Sequence, residues 1–391
     1  MNKYKFIIKF IANKGDNGKY KWNLLFPFAG VIIGCMTVAL TLSIMEGMEY
    51  AIFTKLENIS FPGKLRNISS VNSHELVDHL NRNNILFQRG MEEQIMLMKG
   101  GDFRLVTIHG IEQFKRFNDT VLGPDIIEIE NHTNKANLYI GRPLAVKLDL
   151  SLGDTVMVVN PGRINIFTGL PNRQQMLVGG IFKLNILDYD QNHIFCQYNT
   201  LSNFLPEKQE YLYLETPLND NQFTSIAEQF PEIDYQYWEE KHSTFISAMK
   251  LEKFTYSMIG FLIVAIAGFT LMSMMSLSVM QKVPQIGILR ANGMQSNDIS
   301  YIFIFQAVAT SVVSSFIAIL LSLFIIQLDN QYNLIHILFP GGFFFDFPLI
   351  LHNHHIVLIA VVSLILLIIS GLYPSIKAAH LDPVQAIGFK R

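Results

Sequence analysis

The chain has few of the residues that stabilise small secreted domains or form redox centres. Its 391 residues include only two cysteines. Cys35 lies inside a long apolar run and Cys196 lies in a polar region, so a disulfide between them is not expected. Each is predicted to be a small buried hydrophobic side chain. The net charge is only −2, so the sequence gives no indication of a nucleic-acid partner.

Several motifs that carry enzymatic chemistry are also missing from the sequence. There is no Gly-x-x-x-x-Gly-Lys-Ser/Thr, so ATP is not expected to bind through a phosphate-binding loop. The motifs Gly-x-Ser-x-Gly, His-Glu-x-x-His and Cys-x-x-Cys are absent as well. We therefore predict a non-catalytic chain that holds no metal and no cofactor.

One histidine cluster, at His352, His354 and His355, precedes the last apolar run. Three imidazoles could bind a metal, but no carboxylate or cysteine lies next to them in the sequence. An interfacial polar collar is the favoured interpretation, and a metal site is the alternative.

Long apolar runs, by contrast, are abundant: half of the residues are hydrophobic and 16% are charged. A membrane-spanning helix needs about 20 apolar residues. Four segments meet this length, and we predict transmembrane helices over 23–46, 256–280, 301–328 and 356–373. The first run is interpreted as a retained helix, because no small-x-small cleavage site follows it. The predicted fold class is a membrane α-helical protein with one helix, a large domain and then three helices.

Lysine and arginine in the short flanking segments predict the orientation. Residues 1–22 carry six lysines and form a predicted cytoplasmic amphipathic segment, with a simple basic anchor as the alternative. The 281–300 loop and the 374–391 tail are also basic, whereas 329–355 has no lysine or arginine. These counts place both termini and the 281–300 loop in the cytoplasm. They place the 47–250 domain and the 329–355 loop outside.

The centres of the four runs carry almost no ionisable residues. Proton relays and ion pathways need such residues. A transporter driven by protons or ions is therefore not favoured, and any energy source is expected to come from a partner.

The 47–250 domain is predicted to be mixed α/β. Apolar residues continue at helical spacing from the first run to Leu56, and Phe245–Phe254 forms a matching stalk before the second run. Within the domain we predict helices at Ser73–Asn83, Leu138–Leu150 and Phe223–Gln229, and strands at Gln94–Met98, Arg104–His109, Thr155–Val159, Gln175–Phe182 and Tyr211–Glu215.

Residues 160–173 lie between two predicted strands and have prolines and glycines at both ends. They could form a projecting hairpin with apolar and basic groups. An ordinary connection packed on its own domain is the alternative, and local sequence favours it.

The cytoplasmic stretch from residue 281 to 297 contains a short predicted helix. Pro284 suits a helix start and Gly293 suits a helix stop. Ile286, Leu289 and Ala291 provide an apolar stripe that could bind in a groove of a soluble protein. A simple linker between two spans is the alternative.

Two motifs, one in the 281–300 region and one near the end of the chain, resemble motifs of known membrane proteins. Pro284–Ile299 reads Pro-Gln-Ile-Gly-Ile-Leu-Arg-Ala-Asn-Gly-Met-Gln-Ser-Asn-Asp-Ile and resembles the coupling-helix motif of ABC permeases in the LolC/LolE, MacB and FtsX superfamily. Leu372–Ile387 reads Leu-Tyr-Pro-Ser-Ile-Lys-Ala-Ala-His-Leu-Asp-Pro-Val-Gln-Ala-Ile and is similar to the tail motif of the same superfamily.

The resemblance continues through the rest of the chain. Ile140–Val156 is similar to the family's Gly-x-x-Leu-Ala-x-x-Leu-x-Leu-x-x-Gly-Asp segment. Ser43–Met48 resembles the end of the first span in lipoprotein-releasing permeases, and Val178–Phe182 resembles one of their strands. LolC/LolE is thus the branch that the chain resembles most.

This resemblance implies a permease subunit that extracts lipoproteins from the inner membrane of a Gram-negative bacterium, with its large domain in the periplasm. The implied partners are a LolD-like ABC ATPase that binds ATP and Mg²⁺, a second permease copy or a homologue, and a LolA-like periplasmic lipoprotein carrier. A MacB-like efflux permease and an FtsX-like regulator of a cell-wall hydrolase are the alternatives.

The resemblance also implies site residues. ATPase coupling is assigned to Pro284, Gln285, Ile286, Ile288, Leu289, Arg290 and Gly293. Gln285 replaces the family's acidic residue, and Pro284 replaces its basic residue. A carrier-contact hook is assigned to Arg163, Phe167, Pro171 and Arg173. A lipid cavity is predicted at Met45, Met48, Met258 and Phe261, with simple helix packing as the alternative.

Overall fold

The protein is described by a computed structural model, which covers residues 25–68, 73–129, 137–164, 169, 171–205, 210–334, 337 and 347–380. The chain divides into two units. The helical unit comprises residues 1–50 and 247–391, and the sheet unit comprises residues 51–246.

The elements alternate between short strands and helices in the middle of the chain, with long helices on either side. In chain order they are α1 Leu25–Ser60, β1 Gly63–Arg66, α2 Ser73–Arg82, β2 Phe87–Lys99, β3 Asp102–Ile111, α3 Phe114–Phe117, β4 Ile126–Ile129, β5 Asn137–Gly141, α4 Arg142–Lys147, β6 Thr155–Ile164, β7 Pro171–Phe182, α5 Leu187–Asn192, β8 His193–Gln197, α6 Tyr198–Phe204, β9 Glu210–Leu214, α7 Asp220–Gln229, β10 Asp234–Tyr237, α8 Trp238–Lys241, α9 Ser243–Ala291, α10 Ser296–Tyr332 and α11 Asn353–Ala379.

Four of these helices, α1, α9, α10 and α11, are long and apolar enough to cross a membrane. All four exceed the predicted spans. The predicted extension of the first run is confirmed, because α1 ends only at Ser60, and the predicted stalk before the second run belongs to α9.

Two glycines allow α1 and α9 to approach closely. A Cβ atom placed on Gly34 would lie 3.3 Å from Ala267 Cβ, and one on Gly30 would lie 3.3 Å from Thr270 Oγ1. Because the lower residue number faces the higher one, the two helices are antiparallel. Small residues at such crossings permit tight helix packing.

The predicted helix start at Pro284 is wrong. Pro284 lies inside α9, which continues without interruption to Ala291. Proline lacks an N–H and cannot donate to the carbonyl of Met280, but the rest of the helix forms around it.

The predicted stop at Gly293 is confirmed. Gly293 has φ +91°. Its N–H donates to the carbonyl of Arg290 at 3.0 Å, and the N–H of Met294 donates to Leu289 at 3.1 Å. This pair of bonds is a Schellman motif, which favours glycine because of the positive φ.

Six strands of the sheet unit form a closed barrel in the order β2, β3, β8, β5, β7 and β6, and β6 pairs again with β2. The interior side chains come from alternate positions along these strands. They form one buried apolar core that includes Ile95, Leu97, Val106, Ile108, Leu138, Ile140, Val156, Val158, Val178 and Ile194.

A smaller layer extends from the barrel at β2, where β9, β1 and β10 pair in sequence. Helices α2 and α7 cover it with buried side chains that include Leu76, Leu80, Ile226 and Phe230. The predicted helices near 73–83 and 223–229 and the five predicted strands are confirmed. Four of the strands are longer than predicted, and β9 is shifted by one residue.

The prediction of a helix over Leu138–Leu150 is partly wrong. Its first residues form β5, and only Arg142–Lys147 is helical. Leu138 and Ile140 point into the barrel, and β5 lies between β7 and β8. Pairing on both sides therefore overrides the helical periodicity of the segment.

Some predicted segments fall outside the described residues. These include the amphipathic segment 1–22, residues 335–336 and 338–346 of the predicted loop and residues 381–391 of the predicted tail. The predicted membrane boundaries likewise stay predictions.

Candidate functional site

The end of α9 carries the residues that were predicted to bind an ATPase. Ile288 is 55% exposed, and Gln285 is also exposed. Leu289 and Arg290 are half-buried. Residues 285, 288 and 289 lie on one helix face. Ile288 and Leu289 give this face a small accessible apolar surface. We call the face the coupling face.

Ile286 does not belong to the coupling face. It is 1% exposed and packs in the same buried cluster as Ile299 and Phe303 of α10. A direct contact between the Ile286 side chain and a partner is therefore closed off in this arrangement. Pro284 is half-buried, and Gly293 is exposed in the turn that follows.

Residues 160–173 form the end of a two-stranded hairpin. Asn160 pairs with Asn172 and Ile164 pairs with Pro171, whereas the pairing between β2 and β6 ends at Val159. Among the described residues, the pairing of β6 with β7 therefore continues past the point where the pairing of β6 with β2 ends. The projecting hairpin and the packed connection both stay predictions, because part of the tip lies outside the described residues.

Two of the four predicted hook residues can be located. Arg173 is exposed and Pro171 is half-buried. The Arg163 side chain and Phe167 lie outside the described residues.

The four residues predicted to line a lipid cavity lie on α1 and α9, and the cavity stays a prediction. Met45 and Met48 are half-buried on α1, close in sequence to Glu46 and Glu49, which bind Lys253 of α9. Met258 is 51% exposed, and Phe261 packs against the helical core.

The helical unit also holds a network of charged side chains, which we call the polar collar. Lys253 Nζ lies 2.5 Å from Glu46 Oε2 and 2.7 Å from Glu49 Oε2. His355 Nε2 lies 3.1 Å from Glu46 Oε2, and His352 Nε2 lies 3.2 Å from Glu46 Oε1. One carboxylate thus joins α1, α9 and the start of α11.

The polar collar supports the favoured interpretation of the histidine cluster. Glu46 supplies the carboxylate that the local sequence lacks, 309 positions away from His355. The Glu46 carboxylate is already paired with Lys253. In the described ranges, no group of three or more His, Cys, Asp or Glu side chains could hold a metal ion.

A second polar network is buried on the outside of the barrel, and sequence reasoning missed it. Glu92 Oε1 lies 2.8 Å from Lys241 Nζ, and Glu92 also pairs with Lys64. His109 Nε2 lies 2.8 Å from His193 Nδ1. We call this set, together with Ser60, Tyr189 and His242, the buried cluster.

The charges in the buried cluster shift its pKa values strongly. Burial alone would raise the pKa of Glu92, but the Lys241 and Lys64 ammonium groups hold it well below its usual range. Burial lowers the pKa of both His109 and His193. Burial and then Lys241 lower the pKa of His242 to about 4. The imidazoles are therefore neutral at pH 7.

These shifts predict that acid destabilises the sheet unit. An unfolded imidazole titrates near 6.5, so the unfolded chain binds more protons than the folded chain between pH 6.5 and the lowered pKa values. Each affected proton lowers the free energy of unfolding by up to about 1.4 kcal/mol per pH unit. For His242 the effect is smaller, because solvent screens its partly exposed ring.

Asp190 changes the free energy of unfolding in the opposite direction as the pH falls. Burial raises its pKa to about 6, so its carboxyl group gains a proton more readily in the folded chain. Three imidazoles outweigh this single carboxyl group.

We expect the thermal unfolding midpoint of the full chain in detergent to decrease as the pH is lowered from 6.5 to 4.5. His242→Gln should reduce that slope, and a midpoint that rises with acid would contradict the assignment.

Comparison with known proteins identifies a conserved type of domain in the helical unit. Residues 257–383 match the family model described as FtsX-like permease C-terminal. The chain therefore carries an FtsX-like permease domain, which includes the coupling face.

Relatives match over a much longer range. The chain is 24% identical to the lipoprotein-releasing system transmembrane protein LolC of Haemophilus influenzae over 383 residues, which cover 92% of each protein. It is 24% identical to LolE of the same organism over 414 residues, which cover 97% of this chain and 98% of that protein. It is also 23% identical to the macrolide export ATP-binding/permease protein MacB of Campylobacter jejuni, over 58% of this chain and 35% of that protein.

Proposed function

We propose, from the FtsX-like permease domain at residues 257–383, that this chain is the membrane subunit of an ABC transporter that releases lipoproteins from a bacterial inner membrane. The observation that carries the proposal is similarity along nearly the whole chain to lipoprotein-releasing permeases. The second permease in this proposal is either another copy of the chain or a homologue.

In this proposal α1 crosses the membrane alone and α9, α10 and α11 cross it after the sheet unit. The sheet unit lies in the periplasm, and the turn between α9 and α10 lies in the cytoplasm. Lys253 and Ile288 are then separated by roughly 50 Å along α9, at about 1.5 Å per residue. This length exceeds a hydrocarbon core of about 30 Å, so one helix can present a different functional group on each side.

The energy comes from a separate ATPase that binds at the coupling face. A lipid anchor resists extraction because each buried methylene contributes about 0.8 kcal/mol. The chain has no phosphate-binding loop of its own, which is why a LolD-like subunit is part of the proposal. ATP and Mg²⁺ belong to that subunit.

The extracted lipoprotein passes to a soluble periplasmic carrier at the hairpin. Arg163, Phe167, Pro171 and Arg173 are the proposed contacts. The proposal is supported by the β6–β7 pairing, which continues to Ile164 and Pro171 after the pairing of β6 with β2 has ended.

A MacB-like efflux permease is the second candidate, because part of the chain matches MacB. Co-purification distinguishes the two. We expect the full chain, extracted from its own membrane, to bring down an ABC ATPase and a triacylated lipoprotein that mass spectrometry identifies by its anchor. Recovery of an outer-membrane duct or a cell-wall hydrolase, with no lipoprotein, would replace the proposal by one of its alternatives.

A further inference from the structure

Four titratable side chains form a line from the surface of the sheet unit into the buried cluster. Asp188 Oδ2 of α5 lies 3.7 Å from His193 Nε2. His193 Nδ1 lies 2.8 Å from His109 Nε2, and His109 Nδ1 lies 3.8 Å from Glu92 Oε1. The exposed fraction of the side chain falls along this line, from 68% at Asp188 to 12% at His193 and 7% at His109. Protons from solvent therefore have a short route to both imidazoles.

The contact between His109 and His193 depends on their protonation. In a hydrogen bond between two ring nitrogens, one nitrogen donates its N–H and the other accepts with its lone pair. When both rings are imidazolium ions, both nitrogens carry a proton and neither can accept. At 2.8 Å the two N–H groups would then point at each other. The doubly protonated pair has to separate.

The surrounding charges favour the neutral pair. Burial lowers the pKa of both imidazoles, and the Lys241 ammonium lowers each pKa further. The Glu92 carboxylate raises both pKa values, but it is already paired with Lys241 and Lys64. The titratable and charged groups that face the pair are Glu92 of β2, Lys64 of β1, Lys241 of α8, Asp188 and Tyr189 of α5, and His242 before α9.

These directions fix how the pair responds to acid. A solvated imidazole has a pKa of about 6.5, and the pKa values of the closed pair lie below it. The separated rings therefore bind more protons than the closed pair at pH values below about 6.5. Separation becomes more favourable as the pH falls through this range.

The pair holds α5 against the barrel. The Tyr189 ring of α5 stacks on the His193 ring at 4.3 Å, and Tyr189 is 1% exposed. His193 directly follows the last residue of α5 and begins β8. The neighbouring Asp190 is also buried, but acid neutralises it, because burial raises its pKa to about 6. Acid therefore loosens α5 through His193 and not through Asp190.

We infer that the His109–His193 pair is an acid-operated latch, which holds α5 on the barrel while it is neutral and releases α5 when both rings are protonated. The released segment runs from Leu187 to the start of β8. All of these residues lie in the sheet unit, so the latch is independent of the proposed transport function. The predicted orientation places this unit outside the membrane, where the latch responds to the pH of the outer compartment.

Hydrogen exchange of the full chain in detergent tests the latch. Exchange in α5 and β8 is followed between about pH 7.5 and about pH 5, relative to unfolded peptides at each pH. NMR of ¹³C-labelled histidine gives the titration of the two rings in the same sample. His193→Gln keeps a hydrogen-bonding side chain that cannot become charged. His79→Gln is the matched control, because His79 bonds to Asn83 and Ser225 in the smaller layer.

We expect the protection of α5 to fall with acid in the wild type and in His79→Gln. The fall should reach up to about tenfold per pH unit for each proton taken up, with the same midpoint as the ring titration. Strands of the barrel core, such as β2 around Ile95, should change much less. In His193→Gln the protection of α5 should change by less than about twofold, because the glutamine oxygen accepts the N–H of a protonated His109.

Protection of α5 that ignores pH while the two rings titrate would overturn the inference. A His193→Gln variant that responds to acid as the wild type does would also overturn it, as would rings that stay neutral while α5 is released. Equal loss of protection in α5 and in the barrel core would show that acid unfolds the whole sheet unit instead of opening a latch. If His193→Gln does not fold, the wild-type midpoints of ring titration and α5 exchange still decide.

Discussion

We expect Ile288→Asp to abolish the proposed ATP-driven release while the chain stays folded. Ile288 is 55% exposed on the coupling face, so a charge there costs the isolated chain little. At the centre of a protein interface the same charge would be desolvated without a partner. Loss of an interface hot spot costs about 2–4 kcal/mol, which weakens ATPase binding by roughly 30- to 1,000-fold.

Pull-down of the ATPase and ATP hydrolysis in nanodiscs measure this effect. Ile288→Leu should retain binding because it keeps the apolar surface. Asn297→Asp is the charge control, since it adds an acidic group in the first turn of α10, where a helix N-terminus favours negative charge. Normal ATPase binding by Ile288→Asp would remove the coupling face from the account.

Ile286→Asp is a useful contrast, because Ile286 is 1% exposed. Its charge would enter the helical core, where an unpaired charge is strongly unfavourable. Loss of folded protein is expected there, whereas Ile288→Asp should be recovered in normal amounts.

Shortening the hairpin is the second large effect, and it should abolish transfer to the carrier. Asn160 and Asn172 are directly paired, so residues 161–171 can be replaced by Asn-Gly, which favours a two-residue hairpin turn. The barrel core lies elsewhere, among residues such as Ile95 and Val158. We therefore expect normal folding and ATP hydrolysis, with no detectable carrier binding.

A single substitution sharpens this test. Arg173→Glu reverses an exposed charge at the base of the hairpin and should slow carrier binding. Arg142→Glu makes the same change at an exposed position of α4 and should have no effect. Carrier binding that survives the shortened hairpin would show that the hairpin is an ordinary strand connection.

Sequence patterns predicted the elements that depend on local physics. Long apolar runs predicted the four helices. The positive φ of Gly293 was predictable because few other residues tolerate it at a helix end.

Other features depend on contacts between distant positions and could not be predicted. Leu138 belongs to a strand because β7 and β8 flank it. Ile286 fits the amphipathic pattern of a docking residue, but α10 covers it. Glu46 and His355 meet across 309 positions. The residues of the buried cluster come from seven elements and from His242 between α8 and α9, and they have no local sequence pattern in common.

Transfer of a lipoprotein to a soluble carrier tests the central claim most directly. The complete complex is reconstituted in nanodiscs with its co-purified lipoprotein, and soluble lipoprotein–carrier complex is measured after ATP is added. The account predicts release that requires ATP hydrolysis and is lost in Ile288→Asp. Lipoprotein that stays in the membrane while ATP is hydrolysed at the normal rate would contradict it.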